Sequence, residues 1–443
     1  MTEPAFPILA GHDSASTLVH ASSGPIAADR FRSDVTGLAD LLPAAGHVVN
    51  LCADRYRFAV GFAAALQRRQ TTLLPSSDAA APLAAVAQAY AGAYFLHDGN
   101  FRARAGQRAI RFPDNLPASD RPLAGIPAEQ EAAILFTSGS TGMPVPQPRS
   151  WRALVNSTRA AARALGIAEL AGASLLGTVP HQHSYGLESI MMLALQQGFA
   201  FHGGRSLLPA DIVADLDGMP APRILVTTPI HLRALVAHEG ALPRLHLVLC
   251  ATAPLSADLA QAAETRFAAP LLEIYGCSEV GQIATRRTVE TLEWRCFEGI
   301  GLVEQDGDVW AHGPAAAQAA PLNDIIELKG DGRFLLHGRK SDMVNVAGKR
   351  NSLSYLNHQL NGIEGVRDGV FILPSETKDG ARLTAYVVAP TLTPETLLAE
   401  LRKRLDPAFL PRPIHFVDTL PRNALGKLTR HAMEQLSLET IER

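Results

Sequence analysis

Short apolar runs alternate along the first half of the chain with longer stretches whose apolar residues recur every three or four positions. Val48-Val-Asn-Leu-Cys52, Thr71-Thr-Leu-Leu-Pro75 and Ala93-Tyr-Phe-Leu96 are runs of the first kind. Phe58 to Gln70 and Ala80 to Tyr90, which separate them, are of the second kind. Apolar runs of four or five residues predict short buried strands, the longer spacing predicts helices, and their alternation predicts a parallel sheet with crossover helices. The pattern continues with strands expected at Ile134–Phe136, Leu175–Val179, Ile224–Thr228, Leu245–Cys250 and Pro270–Tyr275, and helices at about Trp151–Leu165 and Ile190–Gln197. The polar, Pro-containing stretch from Phe101 to Asp120 reads as a loop.

From Gly301 to His337 the pattern becomes antiparallel. Asp306-Gly-Asp308 and Gly330-Asp-Gly332 are hairpin turns between runs such as Asp308–Ala311 and Phe334–His337, which predicts a small β subdomain. The charged stretch Gly338–Arg350 reads as a linker. Beyond it a compact α/β unit is expected: a helix at Leu353–Leu360, strands at Gly369–Leu373 and Leu383–Val388, a helix at Pro394–Leu405 and a strand at Ile414–Val417. The fold class is therefore α/β, with a large N-terminal domain over residues 1–338 that carries mixed or parallel sheets and the β subdomain, and a small α+β C-terminal domain over residues 339–443.

Composition narrows the classes of function. The length, 443 residues, accommodates two or three domains, and a formal net charge of -3 without basic runs argues against nucleic acid and against an anionic membrane surface. Cys52, Cys250, Cys277 and Cys296 are far apart, form no C-x-x-C, and read as reduced thiols of a cytoplasmic protein. The N-terminus has no basic start followed by an apolar core, and no apolar stretch approaches the roughly 20 residues that span a bilayer.

Several strand ends carry candidate chemistry. After Phe136 hydroxyls and glycines alternate: Thr137, Ser138, Gly139, Ser140, Thr141 and Gly142. Glycines that accept positive φ let successive N–H groups turn inward, and hydroxyls add donors, a surface suited to a polyphosphate. It is not a Walker loop, since the Gly-Lys pairs at Gly348 and Gly426 are followed by Arg350 and Leu428. His181, His183, Tyr185 and Gly186 follow the strand ending at Val179, where α/β sheets place ligands; His181 reads as an ordinary core or surface residue, His183 and Tyr185 as pocket wall. Thr228, and Ala251 with Thr252, end the next two strands. Tyr275, Gly276, Ser278 and Glu279 end another, offering a flat face and an acid able to hold a divalent cation. Lys427 follows a glycine in the C-terminal tail, where a lysine is ordinarily a solvated charge.

Taken in order, these segments resemble the acyl-adenylate-forming superfamily of acyl-CoA synthetases, aryl-CoA ligases, peptide-synthetase adenylation domains and firefly luciferase. The matching segments run from Thr137 to Arg430. The resemblance implies that the C-terminal domain is mobile about a hinge and that the substrates are ATP, with Mg²⁺, and a carboxylic acid. It implies that Thr137–Gly142 wrap the β- and γ-phosphates, that Tyr275 stacks near adenine, and that Glu279 helps hold Mg²⁺. Asp324 and Arg339 would reach the ribose, and Lys427 would bridge the carboxylate and the α-phosphate. After adenylation the Gly348 segment would line a tunnel for a phosphopantetheine thiol.

Departures accompany the resemblance. Val145 stands where the family usually has lysine, Ser341 where its hinge often has aspartate, and Leu322-Asn-Asp324 where Thr-Gly-Asp is usual. Gln147-Pro-Arg-Ser-Trp151 and His183-Ser-Tyr-Gly-Leu-Glu188 look most like a small bacterial branch found with carrier-protein pathways, including aryl polyene pigments. That branch implies an aromatic acid such as 4-hydroxybenzoate or a hydroxycinnamate, with transfer to an acyl carrier protein. A CoA ligase for an aryl or medium-chain fatty acid, and a nucleotide-binding regulator without catalysis, are the alternatives.

Overall fold

The computed structural model describes residues 3–75, 77–104, 106–138, 144–314, 318–346, 349–373, 383–422, 428 and 432. Gly139, Ser140, Thr141, Gly142, Gly348 and Lys427, all expected at the site, lie outside the described residues, as do the side chains of Thr137 and Ser138.

Period-two alternation in the apolar runs builds the layers. Val48 faces one core while Val49 faces another, and Val226 and Leu225 diverge in the same way. Strands apolar on both faces need helices on both faces. One sheet has six strands, in the order Pro144–Ser150, Glu131–Ser138, Thr71–Leu74, His47–Asn50, Tyr94–His97 and Arg108–Arg111. Its strands are parallel except the first pair. The other sheet has eleven, with a parallel centre formed by Ser174–Gly177, Arg223–Thr227, Leu247–Cys250 and Leu271–Cys277.

Helices Ala28–Leu41, Arg55–Gln67 and Trp151–Ala164 contribute Phe31, Phe58, Phe62, Trp151 and Leu154 to the core between the sheets. Helix Ala80–Ala89 covers the far face of the first sheet. Pro209–Gly218, Pro229–Val236 and Ala257–Phe267 cover the far face of the second. From Gly281 onward the second sheet turns antiparallel and carries its own core of Tyr275, Trp294, Val309 and Phe334. Asp306 and Asp331 adopt positive φ beside Gly307 and Gly332, as the two hairpin turns require. A separate core from Val344 to Phe409 serves the C-terminal unit, whose helices Leu353–Asn361 and Pro394–Arg404 pack on strands Asp368–Ile372, Thr384–Val388 and Ile414–Phe416. No described helix is long and apolar enough to cross a membrane.

Three expectations change. The 101–120 stretch contains the strand Arg108–Arg111, which adds to the sheet edge by backbone pairing although its own side chains are polar or half-buried. The described residues of the Gly338–Arg350 stretch form regular elements: they complete the strand Arg333–Arg339, make a 3₁₀ turn at Lys340–Asp342, and begin the pairing of Met343–Val346 with Lys349–Ser352. Alternation of Val344 and Val346 into the C-terminal core explains the hairpin, masked in sequence by the charged residues between. The helix expected from Ile190 starts at Ser184 and passes through a π-helical turn at Leu187–Met192.

Arg55, at the start of helix Arg55–Gln67, has no exposed surface. Its guanidinium donates to the carbonyls of Gly177 at 2.6 Å and Val179 at 3.1 Å, to His202 O at 3.3 Å, and to Gly204 O. Burial pulls its pKa down to about 10, so it stays charged at neutral pH. Arg55→Met strips several carbonyls of their donor. At about 1–3 kcal/mol for each group left unsatisfied, a thermal denaturation scan should show a markedly lowered midpoint.

Candidate active site

The carboxyl ends of the parallel strands converge on one edge, the position at which open α/β sheets bind ligands. After Gly177 the chain turns through Pro180 and re-enters a helix so tightly that a Cβ on Gly186 would lie 2.0 Å from Pro180 O, which is why glycine stands there. His181 is buried, with its Nε2 3.0 Å from Cys52 O. Burial, reinforced by the charge of Arg55, pushes its pKa down to about 3, so the ring is neutral.

His183 occupies the N-cap position of the new helix without a side-chain cap bond, half-buried at the turn. Tyr185 sits inside the edge, but its hydroxyl donates to Leu249 O at 3.0 Å and Thr227 O at 3.3 Å. Its proton is thus committed to backbone, leaving the oxygen only as an acceptor. Thr228 is likewise committed: its Oγ1 lies 2.9 Å from His231 Nδ1 and it is buried at the helix start. Ala251 follows the end of the strand Leu247–Cys250, and Thr252 takes φ +84°, an uncommon conformation for a β-branched residue. Backbone held in such a region is typical of sites where the surrounding structure dictates geometry.

Tyr275, Asp324 and Arg339 do come together. Asp324 and Arg339 are register partners in the antiparallel part of the sheet, with Arg339 Nε 3.4 Å from Asp324 Oδ1. Tyr275 donates to Asp324 Oδ2 at 2.7 Å, and its ring, 9% exposed, packs on Trp294 and Phe334 with centroids 5.7 and 5.6 Å away. Burial and then the Asp324 carboxylate push the phenol well above its ordinary range. A carboxylate held between a phenol and a guanidinium is an acceptor pair suited to a diol.

Beyond Tyr275 the strand bulges at Gly276, where a Cβ would meet Gly281 O at 2.4 Å, and turns through Ser278 and Glu279. The Cys277 thiol faces Glu279; burial and that carboxylate push it up to about 12. Among the described residues no cluster of three or more His, Cys, Asp or Glu could hold a metal. Mg²⁺ does not need one, since it takes one or two carboxylates and completes its shell with water and substrate phosphates. Glu279, half-buried on a turn, is a donor of that kind.

Two site-edge residues escaped the sequence reading. Arg149, in the strand following the hydroxyl-rich loop, is 1% exposed; it donates to Ser278 O and, at 2.9 Å, to Pro148 O. Glu188, 3% exposed, accepts from Ser184 Oγ at 2.5 Å, Gln282 N at 3.3 Å and Ser157 Oγ at 3.4 Å. Burial lowers the arginine's pKa and raises the glutamate's, and each charge opposes the other's shift. The available signal was a lone arginine among prolines in a strand opposite Ala133, where a side chain must point inward or outward.

A 4-coumarate–CoA ligase from Rhodobacter capsulatus is 29% identical over 305 residues, covering 68% of this chain and 75% of that protein. A 2-succinylbenzoate–CoA ligase from Listeria monocytogenes is 26% identical over 332 residues, covering 69% and 70%. In fold, the chain superposes on an o-succinylbenzoate CoA synthetase from Bacillus subtilis, solved with its acyl-adenylate intermediate, at TM-score 0.80 over 95% of both chains and 16% identity. Residues 46–305 match the AMP-binding enzyme family and residues 362–427 its C-terminal domain. The chain belongs to this family, and hence to the acyl-adenylate-forming enzymes.

Tyr275→Phe removes the phenol that donates to Asp324 while keeping the ring in its core. A hydrogen bond to a charged group contributes about 1.5–3 kcal/mol to stability, so a thermal denaturation scan should show a lowered midpoint, and calorimetry should show weaker ATP binding because Asp324 loses the partner that holds it in place.

Proposed function

We propose that this chain activates an aromatic carboxylic acid with ATP and passes the acyl group to a phosphopantetheine thiol. The observation that carries the reading is the meeting of Tyr275, Asp324 and Arg339 beside the Glu279 turn, in a member of the AMP-binding enzyme family. The aromatic class is supported by the coumarate and succinylbenzoate named for its relatives.

In this reading Asp324 accepts from the ribose hydroxyls, Arg339 reaches the same sugar, and Tyr275 lies along the base with Gly276 and Ser278. Thr137, Ser138, Gly139, Ser140, Thr141 and Gly142 hold the β- and γ-phosphates. His183, Tyr185, Gly186, Thr228, Ala251 and Thr252 surround the acid. A carboxylate oxygen of the acid attacks the α-phosphorus, the α–β phosphoanhydride bond breaks, and pyrophosphate leaves. Both reacting groups are anionic, so charge offset dominates the barrier. Mg²⁺, when bound at Glu279, supplies part of that offset by neutralising phosphate charge. Lys427, between the carboxylate and the α-phosphate, supplies the rest. The thiolate sulfur then attacks the acyl carbon past Gly348, AMP leaves, and a thioester forms.

We assign the acceptor to an acyl carrier protein, on the resemblance of the segments Gln147–Trp151 and His183–Glu188. Free CoA is the second reading, favoured by the names of both curated relatives.

Pyrophosphate exchange over a panel of hydroxybenzoates, hydroxycinnamates and medium-chain fatty acids tests the first step. Exchange is expected with an aromatic acid, and Lys427→Ala is expected to lower it by about 10²–10³. Absence of exchange with every acid, or an unchanged rate in that variant, overturns the reading. Mass spectrometry of products made with CoA or with holo carrier protein decides the acceptor.

A further inference from the structure

The turn that carries Glu279 joins two antiparallel strands, Leu271–Cys277 and Gly281–Arg286, and is gripped on both flanks by buried charges from elsewhere in the chain. On the leading flank, Arg149 donates to Ser278 O. On the trailing flank, Glu188 accepts the backbone N–H of Gln282 at 3.3 Å, and Gln282 Nε2 donates to Ser189 Oγ at 2.8 Å. Arg149 belongs to the strand that returns from the hydroxyl-rich loop, and Glu188 to the helix that starts at Ser184 and carries the acid-pocket residue Tyr185. Among the described residues Arg149 Nε has no hydrogen-bond partner. A guanidinium buried with one N–H unpaired is costly, and an apolar side chain of similar size would fill the same space at less cost. Packing alone therefore does not account for an arginine here; the hold on Ser278 does.

We propose that Arg149 and Glu188 are paired positioning residues that fix the Ser278–Glu279 turn and tie it to the acid-pocket helix, so that Glu279 is presented to Mg²⁺·ATP in one geometry. The pair touches neither reacting atom. It acts through Ser278 O and Gln282 N, and through Ser184 it links the start of the pocket helix to the same turn. The inference rests on the nucleotide reading above for the role of Glu279, but the clamp is a property of the unliganded protein.

The test uses the full chain with Arg149→Met, Arg149→Lys and Glu188→Gln. Two readouts are compared: amide hydrogen exchange of residues 276–282 without ligand, and calorimetric binding of α,β-methylene-ATP across a Mg²⁺ titration. Partners that orient a metal ligand from outside its first shell typically change metal affinity by about 10–100-fold, so Arg149→Met should raise the Mg²⁺ needed for half-maximal analogue binding about tenfold. Exchange should accelerate at 276–282 while the other strands of the sheet keep wild-type protection, and Arg149→Lys should recover part of both effects. Glu188→Gln keeps the shape of its site, and should give the same local acceleration with a smaller loss of affinity; it carries the test if Arg149→Met does not fold. Wild-type exchange at the turn together with a wild-type Mg²⁺ requirement overturns the proposal. So does faster exchange spread evenly over the sheet, which marks a residue that only stabilises the fold. If the wild-type protein binds no analogue, the nucleotide reading fails, while exchange at 276–282 still judges the clamp.

Discussion

Parallel strands end with carbonyls that the next strand does not always reach, and a buried carbonyl without a donor is expensive. Side chains meet that constraint along the functional edge of this protein. Arg55 takes the carbonyls of Gly177 and Val179, Tyr185 those of Thr227 and Leu249, and Arg149 that of Ser278. These carbonyls lie within two residues of the ends of four neighbouring strands at the centre of the larger sheet. The edge can stay open to a ligand because its backbone is satisfied from within rather than by a further covering layer.

The same constraint fixes what the pocket can offer an acid. The Tyr185 hydroxyl and the Thr228–His231 pair face strand ends, so polar atoms there serve the scaffold before any substrate. Glu273 illustrates the scaffold's electrostatics one strand over. It is 3% exposed, held by Arg286 at 2.6 Å and by Thr288, and Arg286 also lies 4.4 Å over the Trp294 ring. Burial raises this carboxyl's pKa and Arg286 works against the rise. Tyr275, two residues on, thus leaves a strand locked by a paired charge before it reaches Asp324.

Residue pattern made the layers legible because apolar runs and helical spacing encode burial directly. The apolar central strands, such as those carrying Val48, Leu73, Val226 and Leu249, and the two hairpin turns of the antiparallel part needed nothing more. The meeting of Tyr275 with Asp324 and Arg339 was legible only through the resemblance, since the three sit on strands whose pairing composition does not specify. Arg55, Arg149 and Glu188 were not legible. A charged residue reads as surface by default, and only its partners, up to 129 residues away for Arg149 and Ser278, reveal it as buried. The Met343–Ser352 hairpin was hidden for a related reason: Lys349 and Arg350 mask an alternation that only Val344 and Val346 carry.

One further arginine uses the same device between the two units of the chain. Arg233, on the Pro229–Val236 helix, donates at 3.0 Å to Arg367 O, beside the strand Asp368–Ile372 of the C-terminal unit. Asp368 in turn holds Arg422 through bonds of 2.7 and 2.8 Å, and Arg422 pairs with Leu428 across the tail segment that contains Lys427. Arg233 is half-buried where Arg55 is sealed. Removing the donor from a sealed carbonyl leaves it bare, whereas Arg367 O and Arg233 can both exchange this bond for water, at a net cost of about 1 kcal/mol. Burial, rather than the type of bond, therefore separates the joints of the sheet edge from the contact between Arg233 and the C-terminal unit.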